Sequence, residues 1–447
     1  MSRLLTGRRF YFLLTIILGY FLYSVAFAGG LAGDKSAAGG DEVSDVLLGL
    51  IIIILAAKLG GDLLEQVKQP AVLGELIFGM LIGNLHLLGI DFLEPMKQSH
   101  TLEILAELGV ILLLFEVGLE SSLGEMMKVG ATSLLVALFG VVAPFFLGWG
   151  VGLLFLPEES LYVHIFIGAT LTATSVGITA RVLKDINRIQ SREAKIILGA
   201  AVIDDILGLI ILAVVVGIIS AANAGTGGID SFQIFLIIAK AVLFVLGAVI
   251  VGGKLVPRIL RAALRLKVAG VLLSIALMVC FALAYLADII GLAPIVGAFA
   301  AGLILEDIHY REYRERGEHE IKELINPIGL FLIPVFFVKM GMVVDLTTFY
   351  NTDILLFAAV MTLAAIAGKQ VCSLAVFDRS VNRFAIGLGM IPRGEVGLIF
   401  AGIGAKLMID GHNVISAGTY SAIVIMVIVT TLVTPPLLKT AMLKSKE

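Results

Sequence analysis

Charge is scarce in this chain: only 15% of its 447 residues are Asp, Glu, Lys or Arg, against about 25% in ordinary soluble domains. That supply cannot cover the surface of a water-soluble protein whose composition is 59% hydrophobic. Cysteine is almost missing. Cys280 and Cys372 both lie inside apolar runs, which excludes a disulfide framework and a thiolate metal cluster. The six histidines show no metal-ligand spacing, and no nucleophile stands with a base, so neither a cofactor nor an enzymatic reaction is expected. A net charge of −3 gives no reason for a nucleic-acid partner.

What the chain has is length after length of apolar sequence, with a mean hydropathy of +1.05 over the whole. Runs long enough to cross a hydrocarbon core, about 17 to 25 residues, number thirteen after residue 45. They cover residues 46–61, 70–88, 104–120, 129–156, 161–182, 195–221, 232–255, 268–288, 291–305, 324–344, 353–377, 384–406 and 415–438. The expectation is an all-α polytopic membrane protein of about thirteen transmembrane helices in contact with lipid.

Basic residues fall after odd-numbered spans. Arg181, Lys184, Arg188, Arg192 and Lys195 follow or flank the end of span five, Arg258, Arg261 and Arg265 follow span seven, and Arg311, Arg314 and Arg316 follow span nine. Residues 220–231, after span six, hold no Lys or Arg. The positive-inside rule then puts the odd loops and the 439–447 tail in the cytoplasm and the start of span one outside. Residues 1–28 carry Arg3, Arg8 and Arg9, an apolar run and Ala26-Phe27-Ala28, the pattern of a signal peptide. The alternative is an uncleaved fourteenth helix. Residues 29–45 then form an external tail. The cytoplasmic segment 306–320 holds His309 and His319 among acids; solvated charge is the first reading and a pH bias the second.

The chain also resembles itself. Pro70 to Gly83 matches Pro294 to Gly302, Leu113 to Gly118 matches Val335 to Gly341, and Thr174 to Gly177 matches Gly394 to Gly397, at displacements of 224, 223 and 220. One drifting register therefore relates a first six-helix repeat, 46–221, to a second, 268–438, with 232–255 as the linking helix. Equivalent spans are seven apart, an odd number, so the repeats run in opposite directions through the membrane. Such inverted repeats place an ion site near the midplane, where broken helices meet.

Candidate residues lie at that level. Asp204 and Asp205 are adjacent in span six, flanked by apolar residues. An ionised Asp at a helix centre costs about 2.5–3.5 kcal/mol on insertion scales, and adjacent helical positions point about 100° apart, so one carboxylate suits an ion and the other a fixed partner. Lys369, the only cation of span eleven, is the charge partner to expect. Span five holds Thr172, Thr174 and Ser175, and span twelve holds Pro392, Arg393, Gly394 and Glu395. Both compositions favour unwound helix, with hydroxyls and free carbonyls available to a cation. Arg393 and Glu395 bring charge to the crossing, either as a structural pair or in transport. Glu75, Glu116 and Glu120 read as packing or funnel residues and Lys339 as nearer the surface.

At Thr172–Gly177, Asp204-Asp205, Gly368-Lys369 and Pro392–Gly397 the chain resembles the monovalent cation:proton antiporter-2 family, which includes bacterial Na+/H+ and K+/H+ exchangers. The resemblance runs from about residue 46 to 438. It implies that Asp205 carries the monovalent cation, Na+ first and K+ or Li+ as alternatives, and also the proton. It implies that Asp204 pairs with Lys369, that two broken helices cross beside them, and that the protein is a homodimer of the bacterial inner membrane moving as an elevator. The few residues after span thirteen give no expectation of a nucleotide-sensing domain. A channel-like or sensing protein of the same fold and a Na+-coupled symporter of an organic anion remain as other readings.

Overall fold

The computed structural model describes residues 40–67, 69–91, 93–120, 130–223, 231–263, 268, 270–305, 320–378, 380–409 and 411–444. The signal-peptide pattern and the segment with His309 and His319 lie outside the described residues. Apolar backbone in a medium without water satisfies its own hydrogen bonds, and the described chain is accordingly helical apart from short connections and a two-residue hairpin, Met408–Ile409 with His412–Asn413.

In chain order the helices are α1 (Gly40–Gln66), α2 (Ala71–Gly83), α3 (Glu94–Gln98), α4 (His100–Glu120), α5 (Ala131–Phe155), α6 (Leu161–Thr170), α7 (Val176–Asp185) and α8 (Arg192–Asn223). They continue as α9 (Ser231–Ala263), α10 (Val271–Ile289), α11 (Pro294–Ile304), α12 (Ile321–Val343), α13 (Thr352–Val371), α14 (Arg383–Gly389), α15 (Gly394–Lys406) and α16 (Ala417–Lys444). Among the described residues eight helices are long and apolar enough to cross a membrane, nine if the bent pair α14 and α15 is one span. The other expected spans coincide with helices that fall short of that measure for visible reasons. Glu103, Glu107, Glu116 and Glu120 load α4 with acid, α2, α6 and α11 are short, and α7 carries Arg181 and Lys184.

Several boundaries differ from the sequence reading. Helix α1 begins at Gly40 rather than residue 46, so it takes in part of the expected tail, and α16 runs on through Lys439 to Lys444. A helix does not stop where lipid does; it continues while its backbone has no better partner. Helix α9 likewise extends through Pro257 to Ala263, beyond the apolar stretch ending at 255.

The helices sort into two bundles. Helices α1, α2, α4, α10, α11 and α12 pack on one another, and α5 to α8 with α13 to α16 form the second group. Helix α9 touches α8 on one side and α10 and α11 on the other. Within the first bundle the backbones approach so closely that side chains are excluded. A Cβ at Gly79 would meet the carbonyl of Val338, and one at Gly341 that of Leu76. Likewise Gly302 abuts the carbonyl of Phe115, Gly118 that of Phe299, and Gly109 that of Leu332. In lipid, where there is little hydrophobic drive between helices, such small-residue contact supplies the dispersion that holds them together.

Gly74 faces the carbonyl of Gly60 across α1 and α2, whereas Gly247 in α9 has open space around it. Gly74→Ala is expected to destabilise the protein by about 1–3 kcal/mol, as overpacked cores do, and to lower its melting temperature in detergent. Gly247→Ala leaves it unchanged or slightly higher. Equal melting temperatures for the two variants would refute the close contact.

Candidate functional site

Two of the expected spans are broken, one at a run of hydroxyl residues and the other at a proline and a glycine. Span five stops at Thr170, passes through Leu171 to Ser175 and resumes as α7 at Val176. Span twelve stops at Gly389, passes through Met390, Ile391, Pro392 and Arg393, and resumes as α15 with a bend of 46°. Pro392 cannot donate a backbone hydrogen bond, and Gly394 holds φ +44°, a left-handed backbone that glycine tolerates best. A Cβ there would also lie 2.6 Å from the Ser175 side chain.

The breaks cross and satisfy each other. The Ser175 amide donates to the Pro392 carbonyl at 2.7 Å, Thr179 Oγ1 to the Gly389 carbonyl at 2.6 Å, and Thr174 Oγ1 to the Met390 carbonyl at 3.4 Å. Arg393, fully buried, donates to the Ala173 carbonyl in the opposite break and, at 3.1 Å, to the Ala365 carbonyl of α13. Ser175 Oγ donates to both carboxylate oxygens of Glu395, at 3.1 and 2.9 Å. A cation therefore stands by the Ala173 carbonyl, past the C-terminal end of α6, and an anion in the first turn of α15, the placement that helix dipoles favour.

Beside the crossing lies the acid pair. Lys369 Nζ donates to Asp204 Oδ1 at 2.8 Å, with both side chains wholly buried. Gly368 lets α13 close on Pro144 of α5, where a Cβ would come within 2.7 Å of the Pro144 Cα. Asp204 Oδ2 has no hydrogen-bond partner among the described residues. Asp205 points elsewhere: among the described residues its carboxylate accepts no hydrogen bond and joins no ion pair, and it is partly accessible. A cavity of about 20 Å³ meets Asp204, Asp205, Thr174, Ala173 and Glu395, with apolar walls that include Leu209, Phe299, Ile399 and Phe400. By this measure a water occupies about 10–15 Å³, so one water or one largely dehydrated ion fits. Asp204, Asp205 and Glu395 against Lys369 and Arg393 leave one negative charge in excess when all are ionised, which one monovalent cation or one proton neutralises.

The expected residues thus come together, in altered relations. Arg393 and Glu395 do not pair with each other; each serves the opposite break. Ser175 spends its hydroxyl proton on Glu395, and Thr172 Oγ1 spends its own on the Ala169 carbonyl at 2.7 Å, so of the three hydroxyl residues only Thr174 lines the cavity. Lys339 is 6% exposed and donates to the carbonyls of Met96 and Lys97 at 3.1 and 2.9 Å, deeper than expected. Sequence reasoning missed Thr179 and Thr431, whose hydroxyl accepts from the Gly394 amide at 3.3 Å. Thr179 follows Ser175 by one helical turn, a spacing that could have revealed it; Thr431 had no such signal.

Comparison with known proteins identifies the family of the chain. Residues 46–444 match the family described as sodium/hydrogen exchanger, transmembrane. The chain is 42% identical over 431 residues to the high-affinity Na(+)/H(+) antiporter NhaS3 of Synechocystis sp. (strain ATCC 27184 / PCC 6803 / Kazusa), covering 89% of this chain and 90% of that one. It is 37% identical over 396 residues to the Na(+)/H(+)-K(+) antiporter GerN of Bacillus cereus, covering 87% and 94%. Among solved structures, the sodium proton antiporter MjNhaP1 from Methanocaldococcus jannaschii at pH 8 superposes with a TM-score of 0.70 over 90% of this chain and 100% of that one, at 18% identity, a likeness of fold. A match along nearly the whole chain and relatives of this identity lead to one conclusion: the chain belongs to the sodium/hydrogen exchangers, monovalent cation:proton antiporters that are transporters and not enzymes.

Proposed function

We propose that this protein exchanges Na+ for protons across a membrane by alternating access, with Asp205 as the group that carries either one. The observation that carries this reading is the division of labour in the acid pair. Asp204 is committed to Lys369 at 2.8 Å, while Asp205 faces a cavity of about 20 Å³ with its carboxylate unengaged by any described residue. A carboxylate without a fixed partner binds a cation or a proton but not both, and that competition is what couples the two flows. GerN, the Na(+)/H(+)-K(+) antiporter of Bacillus cereus, is named for K+ as well as Na+, which favours K+ as the second cation to test. A sensor has no use for an unpaired carrier, and an organic-anion symporter needs more room than this cavity offers.

The finer architecture belongs to the same reading: about thirteen spans in two inverted six-helix repeats. The glycine contacts support it. Gly79 against Val338 and Gly302 against Phe115 are the same contact under exchange of the halves, since Gly79 with Gly302 and Phe115 with Val338 each differ by 223 positions. Leu76 with Phe299 and Gly118 with Gly341 repeat the relation. Gly109 meets Leu332, its own counterpart at 223, and Ser175 and Ala173 bond their counterparts Glu395 and Arg393 at 220. Residues that touch their own equivalents lie on a two-fold axis. The two bundles suit an elevator motion, and the basic loops suit a cytoplasmic C-terminus. Assembly as a homodimer in a bacterial inner membrane follows the family.

In proteoliposomes with a trapped pH dye, addition of NaCl is expected to move protons, and Asp205→Asn to abolish the signal in folded protein. Substantial exchange by that variant would end the assignment of Asp205. Asp204→Asn should behave differently, because removal of one partner from a buried ion pair costs about 3–5 kcal/mol. It is expected to lower the melting temperature markedly while Asp205→Asn does not; the opposite order would mean that Asp205 holds the structural partner.

Charge movement gives a further check. With Na+ on Asp205 the Lys369–Asp204 pair stays charged; on the return, Asp205 takes one proton and the pair a second, so two protons exchange for one Na+. Membrane potential, worth about 2.3 kcal/mol per charge per 100 mV, then drives the reaction. A potassium and valinomycin diffusion potential should change the exchange rate, and Na+ should evoke a current on a solid-supported membrane. Exchange without either response would mean one-for-one transport.

A further inference from the structure

Lys406 is the last residue of α15, the helix that carries Glu395. Its ammonium lies 3.0 Å from Glu103 Oε1 and 2.7 Å from Glu107 Oε1, two carboxylates one turn apart on α4. Helix α15 belongs to the bundle of the acid pair and α4 to the other, and the two helices hardly touch. Among ion pairs formed between described residues, those of Glu94 with His86 and Lys97 and of Glu120 with Lys322 stay inside the first bundle. Arg192 with Asp378 and Lys369 with Asp204 stay inside the second. Those of Lys406 alone cross the seam.

A cavity of about 420 Å³ lies in that seam, lined by Glu107, Lys406, Asp288, Phe336 and Ile399. Ile399 also lines the small cavity of Asp205, and it stands seven residues, about 10 Å, along the helix from Lys406. The ion pairs therefore span the same gap that leads toward the carrier carboxylate. The side chains are 40–55% exposed, so dissolved salt reaches and screens them.

We propose that Lys406, with Glu103 and Glu107, is a latch across the seam: it holds the bundles in the arrangement seen here, and it opens in every transport cycle. The latch rests on the exchange reading above. An exposed pair of this kind contributes little to stability, yet it lies between bodies that must separate, so its effect falls on the rate of leaving this arrangement.

The test is Na+-driven proton movement in proteoliposomes, measured against Na+ concentration. Lys406→Gln and the double variant Glu103→Gln/Glu107→Gln are both expected to raise the maximal rate about two- to fivefold, with KM kept within about twofold. They remove opposite charges, so a role limited to attracting or repelling entering cations would shift KM in opposite directions. That result, or a fall in the maximal rate in both, overturns the latch. As a second measurement, Lys406→Cys/Glu107→Cys bridged by a short bis-methanethiosulfonate, which forms a disulfide with each cysteine and releases methanesulfinate, should stop exchange, and reduction of the disulfides should restore it. Undiminished exchange by bridged protein also overturns the proposal. Wild-type protein that moved no protons with Na+, K+ or Li+ would instead sink the exchange reading itself.

Discussion

A lysine held in an apolar interior has one good answer, a carboxylate at hydrogen-bond distance, and the Lys369–Asp204 pair imposes that condition on everything around it. Leaving either partner alone would cost several kcal/mol, so α8 and α13 must stay in register. That register depends on α5, which lies between them. Gly368 allows α13 to meet Pro144 directly, and Gly140 stands where even an added Cβ would be only 3.7 Å from the ammonium. Once these helices are fixed, the direction of Asp205 is fixed too, because the next position of a helix turns about 100° away. The carrier is free because its neighbour is not.

The crossing solves a second problem of charge. Breaking a helix in lipid exposes carbonyls and amides that water would otherwise cover. Arg393 covers two carbonyls at once, and Glu395, held by Ser175, stands near the amides that open α7 and α15. Each break is thus stabilised by a residue of the other, and α13 is tied in through Ala365. The unwound segments can then be rigid while their dipoles converge on a small cavity.

Much of this was legible in the sequence, because lipid leaves the chain few choices. Apolar runs had to be helices, and Asp204, Asp205 and Lys369 had to find partners. The breaks in spans five and twelve were signalled by threonines and by Pro392 and Gly394. Side-chain direction was not legible. Nothing local tells Ser175 to turn to a carboxylate 220 positions away rather than to an ion, or Arg393 to choose carbonyls over Glu395. Lys339 near a helix end reads as a surface residue until α3 is seen to present its carbonyls there. Lys406 passed unnoticed for the same reason: a lysine closing a helix is ordinary, and its acids become significant only when α4 is found across a gap.

On the proposed two-repeat architecture, the glycine contacts carry an implication for ancestry. A frame in which Gly109 meets Leu332, and Ser175 meets Glu395, is what duplication and fusion of a gene for one half would leave behind. Two copies of that half would once have offered two equivalent places for acids. At the displacement of 220, the positions answering to Asp204 and Asp205 are Val424, fully buried, and Ile425, packed against the core. On that architecture the first half supplies Asp204 and Asp205 and the second supplies Lys369, Arg393 and Glu395, so a change in either half's share of the site calls for an answering change in the other.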